Sequence, residues 1–549
     1  MQEELAKAPV VSSAPIEGLK GSRARRTTHP VLWAGLRVAY MIGLLFVLVP
    51  FGSTAELPMS LVTVYFTVLA MAIALAFGIA KPLRVAAGLA VGLLVLLAGW
   101  AFLQTVPLPD HLLANPIWTS VKDLGVTAAP VISVAPGDTR FALLGLALPF
   151  IVFLAGLQAF PDDKSAKLLL AFLGISGGVI AVWSIGQFLL SPDMLLTEKK
   201  KYYLDSVTGV FVNRNTAATY FGICSLILFS LAWQNAQKVD WGRLSAWIGG
   251  AARASMPAFN WRMWTYSILM LVCLLALFMT RSRAGVGSSF LTFLAMVPIL
   301  AAMGFRRERK MGFGRSRRTP PWQRAMRAAM AMVIVVIAGV AFSGRAAYRA
   351  SIEGVDDPRF CVWPGIVHAV RNNWLTGTGL GTFQDIFPAY RDPQCGITGT
   401  FTRAHSVYLQ GFLELGIVFV IAMVVGLAAL VIIHVHGLKS RRSYAVFPAL
   451  GFGAILLVAA HSVMDFSLQI PGFAVIFAAT LAATTAISLG RNALPSQSKP
   501  KSTRSQPPPV NLKTIEMEPP MVGDTEISED PKNSRRDSAG PFPEGGLKT

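Results

Sequence analysis

The chain has 549 residues, 53% hydrophobic and only 14% charged, with a formal net charge of +20 and a mean hydropathy of +0.54. A soluble globular chain this apolar would not stay in solution, so the composition excludes that class and points to a polytopic membrane protein. The positive excess would argue for nucleic acid in a soluble protein. In a membrane protein Lys and Arg gather in cytoplasmic loops, and no nucleic-acid partner is expected.

Residues 1–30 form a basic tail with Lys20, Arg23, Arg25 and Arg26 and no apolar run ahead of a small-residue cleavage site, so no cleavable signal peptide is expected. Twelve apolar runs follow, at 31–49, 59–80, 85–106, 141–160, 168–190, 216–233, 263–280, 285–305, 325–342, 406–433, 444–463 and 472–489. Runs of about 20 residues suit a hydrocarbon core about 30 Å thick, which predicts an all-α fold of about 12 transmembrane helices. With the N-terminus inside, the basic residues after runs two (Lys81, Arg84), eight (from Arg306 to Arg318) and ten (Lys439, Arg441, Arg442) all fall in the cytoplasm. That orientation puts 107–140, 191–215 and one large loop, 343–404, on the periplasmic side. Residues 491–549 are rich in Pro, Ser, Lys and Glu and have little to bury, so a disordered cytoplasmic tail is expected after a membrane domain spanning 31–490.

The large outer loop breaks the charge rule. It holds Arg345, Arg349, Arg359, Arg371, Arg391 and Arg403 and no lysine. Pairing with Glu353, Asp356, Asp357, Asp385 and Asp392 is one reason for these arginines. Anion binding is the other, because a guanidinium fork bonds two phosphate oxygens at once and an ammonium cannot. Arg281 and Arg283 sit in a turn of about four residues between two spans, where a charge either lines a wet cavity or snorkels to the interface. Glu414, inside the tenth run, needs a partner such as an arginine, or a substrate contact.

Other polar groups fit plainer readings. Lys199 to Lys201 read as a solvated face. His461 and Asp465 stand at i, i+4 without a third ligand at suitable spacing, so no metal and no cofactor are expected. The string GTGLGTF at 377–383 lacks the Lys-Ser/Thr of a nucleotide loop and reads as a tight turn. Cys224 and Cys273 fall in apolar helices. Cys361 and Cys395 fall in the polar loop, where they either pair, if it lies outside the cytoplasm, or stand as free thiols.

Five strings appear in order: VFVNRNTAATYF (210–221), TRSRAG (280–285), Arg359 with Trp363 four residues on, GTGLGTF, and AHSVYLQGFLELG (404–416), with HSVMDF (461–466) near the end. On these the chain resembles the O-antigen ligase and O-antigen polymerase superfamily of bacterial envelope glycosyltransferases, over most of 110–489. The resemblance implies transfer of an undecaprenyl-diphosphate-linked oligosaccharide or polysaccharide donor to a lipid A core or glycan acceptor, in the bacterial inner membrane at its periplasmic face. It implies His405 as the catalytic base and Arg283, Arg359 and Arg403 as diphosphate contacts; the charge reading adds Arg281 to these contacts, and Asn213, Asn215, Trp363 and Glu414 are expected to support the site. Many relatives read His-Asn-Asp-Tyr where this chain has His405, Ser406, Val407 and Tyr408, which removes any role for those two polar side chains. Arginines neutralising a pyrophosphate leaving group need no metal, and displacement by one hydroxyl inverts the anomeric centre. The competing readings are a transporter or flippase of lipid-linked sugars, which should show paired repeats and midplane charges, and a membrane scaffold.

Overall fold

The computed structural model describes residues 30–107, 113–239, 259–309, 358–395, 400–441 and 444–490, with isolated positions at 243, 247 and 249. The expectations for the N-terminal tail, the basic loop after run eight, the ninth run, Arg345, Arg349, the Arg359 side chain and the C-terminal tail lie outside the described residues.

The helices in chain order are α1 (Pro30–Phe46), α2 (Glu56–Ala76), α3 (Arg84–Leu103), the short α4 (Ile117–Asp123), α5 (Pro136–Ala159), α6 (Asp163–Leu190), α7 (Arg214–Ala236), α8 (Trp261–Met279), α9 (Arg283–Arg309), α10 (Pro358–Asn373), α11 (Val407–Leu415), α12 (Ile417–Ser440), α13 (Val446–His461) and α14 (Pro471–Leu489). Nine described helices are long and apolar enough to cross a membrane, and α1 and α13 are shorter apolar helices. The chain is an all-α polytopic membrane protein; a two-stranded hairpin, Met194–Leu195 against Glu198–Lys199, is the sheet among the described residues.

Residue size decides which helices are central. Apolar side chains gain nothing by leaving lipid for one another, so helices meet where small residues let backbones approach. Ala, Thr and Gly dominate α14, and 89% of its apolar stretch is buried, as is that of α7; only 11% of the Val- and Ile-rich α12 is. Close approach is visible where α5 crosses α14, because a Cβ added to Gly156 would stand 2.9 Å from that of Ala482.

Side-chain contacts separate the two ends of the bundle. At one end Arg37 donates to the Ala159 carbonyl (2.7 Å), Arg441 pairs with Asp163, and Asn260 donates to the Asn235 carbonyl (3.0 Å). Asp162 caps α6 there, accepting from the Lys164 and Ser165 amides at 3.0 Å each. The opposite end gathers the starts of α7, α9 and α11, the ends of α8 and α13, and the turn at 377–383.

The tenth apolar run is two helices rather than one. Gly416 has φ +61° and ψ −149°, a backbone region open to glycine alone, and it separates α11 from α12. The glycine-rich turn wraps the end of α11 and satisfies its orphan carbonyls. The amides of Thr378 and Gly379 donate to the Leu413 and Glu414 carbonyls (2.9 and 3.0 Å), Gln104 also donates to the latter (2.8 Å), and Trp100 Nε1 reaches that of Leu415 (3.0 Å). Gly377, Gly379 and Gly381 all hold positive φ.

Candidate functional site

The first cluster forms where α7 begins. Asn213 caps the helix by accepting from the Asn215 amide at 2.7 Å. Asn215 Oδ1 then accepts from the Ser282 hydroxyl at 2.8 Å, which ties the start of α7 to the Arg281–Ser282–Arg283 turn. Asn215 is 5% and Ser282 2% exposed, so this join is buried while Arg281 and Arg283 themselves are exposed. Arg281 has φ +55° and pairs with Asp205 at 2.5 Å. Arg214 places its guanidinium 5.1 Å from the Tyr203 ring centroid and acts on the same Asp205. Burial raises the Asp205 carboxyl, but the Ser206 hydroxyl and the Arg281 guanidinium outweigh it and hold the group below its ordinary value.

The second cluster lies along 403–414. His405, at φ +51°, sets its ring edge-on to Phe466 with centroids 5.1 Å apart. Ser406 caps α11, accepting from the Leu409 amide at 3.4 Å, and the Val407 amide donates to the Ser462 carbonyl at 3.0 Å. Glu414 is 4% exposed. It accepts from the Gly381 amide (2.9 Å) and from Gln410 (2.8 Å). Burial raises its carboxyl above the ordinary value, against those two donors and the charge of Arg403.

The segment after α13 joins the two clusters. Asp465 is fully buried and accepts from Asn215 Nδ2 (3.0 Å), the Ser467 amide (2.9 Å) and the Ser467 hydroxyl. His461 Nδ1 lies 2.9 Å from the Thr219 hydroxyl and 3.8 Å from Asp465 Oδ2. Phe466, one residue on, carries the contact to His405. Asp465 and Phe466 therefore reach the arginine turn through Asn215 and the histidine directly. Among the described residues no three His, Cys, Asp or Glu side chains converge, and both Asp465 oxygens are taken by protein donors.

Of the residues singled out from sequence, Arg281, Arg283, Asn213 and Asn215 share the first cluster, and Arg403, His405 and Glu414 the second. Trp363 meets the second cluster through apolar packing, on a core that also takes in Ala404 and Leu413. It packs on α10 against an apolar core of the outer loop built from Val362, Ile366, Phe383, Phe387 and Leu413. The Arg359 backbone lies in the first turn of the same helix. Cys361 beside it is disulfide-bonded, while Cys224 and Cys273 are free and buried. Sequence reasoning missed Arg214, Asp205, Gln410 and the linking role of Asp465. Arg214 had a signal, its place between two capping-type asparagines. Asp205, ten residues before Asn215, had none.

Residues 268–424, from α8 into α12, match the family model described as O-antigen ligase, so that stretch is similar to that family. No curated protein matches the chain. The matched stretch contains both the 281–283 turn and the 403–414 segment; Arg214 and Asp465 fall outside it.

Proposed function

We propose that this multi-pass membrane protein, with its stretch similar to the O-antigen ligase family, transfers a glycan from an undecaprenyl diphosphate carrier to a lipid A core or a growing polysaccharide, at the periplasmic face of the bacterial inner membrane. The observation that carries the reading is the meeting, at one end of the bundle, of an arginine cluster and a histidine-bearing segment through Asp465 and Phe466. The disulfide at Cys361 supports placing that end outside the cytoplasm, where disulfides persist.

In this reading Arg281, Arg283, Arg403 and Arg359, joined by Arg214, take the diphosphate oxygens. Guanidinium forks suit that geometry and stabilise the negative charge that grows as the carrier leaves. The acceptor hydroxyl attacks the anomeric carbon from the face opposite the diphosphate. The bond from that carbon to the diphosphate oxygen breaks, and His405 takes the hydroxyl proton. One displacement inverts the anomeric centre, and the arginines do the work that a metal would otherwise do. Asn213 and Asn215 hold the arginine turn in place, Glu414 holds the 403–405 segment, and Trp363 braces the loop.

Deleting the encoded chain and profiling the surface glycan tests this. Polymer lost from lipid A but retained on the carrier indicates a ligase, and single-repeat chains indicate a polymerase. Loss of the surface glycan with carrier-linked sugar trapped on the cytoplasmic side would overturn the reading in favour of transport.

A further inference from the structure

His405 holds a backbone conformation that a residue with a Cβ avoids, and such conformations persist only where the surroundings impose them. After His405 the imposing contacts are the Ser406 cap and the Val407 amide on Ser462. Before it, a buried side chain holds the backbone. Gln410, 1% exposed, accepts from the Ala404 amide through Oε1 at 3.0 Å and donates from Nε2 to Glu414 Oε1 at 2.8 Å. Glu414 Oε2 in turn accepts from the Gly381 amide at 2.9 Å.

Polarity is fixed at each end of this chain. A backbone N–H only donates and a carboxylate only accepts, so one orientation of the Gln410 amide satisfies both neighbours. Ala404 is 1% exposed, and its amide, cut off from water, needs that acceptor. The chain runs from the glycine turn, through two side chains of α11, to the peptide between Arg403 and His405.

We propose that Gln410 is a positioning residue for transfer: its amide clamps the Arg403–Ala404–His405 backbone to Glu414 and the glycine turn, and so aims the imidazole and the guanidinium together. What the clamp serves rests on the transferase reading; the clamp itself does not. Without it, the Ala404 amide loses its acceptor and the backbone leading into His405 loses this restraint.

The polarity argument supplies the test. In Q410E two acceptors face each other at the Glu414 contact. In E414Q the two amides cannot satisfy Gly381 and Ala404 together. The double variant Q410E/E414Q restores every donor to an acceptor with the same set of atoms. Purified parent and variants are compared by hydrogen–deuterium exchange over 400–406, by thermal melting, and by steady-state transfer from a lipid-linked donor. Each single variant should exchange faster over 400–406 and lose on the order of 10²-fold in kcat, the scale of a misaimed catalytic group, with KM for the donor within about threefold. The double variant should regain protection and come within about tenfold of the parent kcat.

Parent-like exchange in the single variants overturns the clamp, as does a folded double variant that fails to regain protection. Exchange that follows the swap while kcat stays at the parent level overturns the positioning role. Exchange that follows the swap in a parent that transfers no glycan supports the clamp and overturns the transferase reading.

Discussion

His405 and Arg281 stand in the left-handed region, at φ +51° and +55°, just ahead of α11 and α9 at one end of the bundle. Such strain costs of order 1–3 kcal/mol per residue and gathers at functional sites. His405→Ala should therefore leave insertion and folding intact and cut transfer by about 10²–10⁴-fold, the usual worth of a positioned base; turnover of purified enzyme at matched expression measures it. Arg281 owes its aim to Asp205. A carboxyl held below its ordinary 3.8 adds stability above that value and loses it as pH falls through the depressed one. Because the pair is about half exposed, D205N should cost only about 0.2–1 kcal/mol at neutral pH. The melting difference between parent and D205N should close below pH 3.8. A gap unchanged by pH would mean that charge plays no part. Sequence exposed the arginines of this end because they break a charge rule, and His405 because it opens an apolar run. Asp205 and Asp465 stayed hidden because their roles exist only across 76 and 250 residues of separation.

Among the elements, the apolar runs made the spans legible, and the break at Gly416 was not. Hydropathy averages over about 20 residues and glycine is common in membrane helices, so one glycine within an apolar run carries no visible signal. What makes it a break is tertiary: a Cβ on Gly416 would collide with the Leu375 carbonyl, and Gly377 presses on Glu414 in the same way. Gly416→Ala should cost about 1–3 kcal/mol from backbone conformation alone, with the collision added. It should lower the melting temperature in detergent and expose the 377–383 turn to protease. A variant that melts with the parent would show that the α11–α12 junction tolerates an ordinary residue. The turn itself was readable as a tight one because three glycines in five residues need some reason, but its target, the end of α11, was not.

For the whole molecule, orientation decides whether the candidate site meets a carrier on the outer face. Two ends of the bundle are defined by contacts: one carries Asp162, Asp163, Lys238 and Arg441, the other Tyr202, Asp205, Arg281 and His405. Basic residues bias a loop toward the cytoplasm by hindering its translocation, and the proposed orientation, with the second end outside, rests on that rule. The chain is well suited to a direct measurement. Among the described residues the free thiols are Cys224 and Cys273, both buried in the bundle, and Cys361 is already in a disulfide, so background labelling is low. Tyr202 is 69% exposed on the outer loop, and Lys238 is exposed beyond the end of α7. In spheroplasts a membrane-impermeant maleimide should label Y202C at once and K238C only after the membrane is opened. The helix between these positions, α7, spans 23 residues, about 35 Å at 1.5 Å per residue, so the two thiols cannot share a face. The reverse pattern would put the arginines and His405 in the cytoplasm, where the carrier-linked glycan is built rather than transferred.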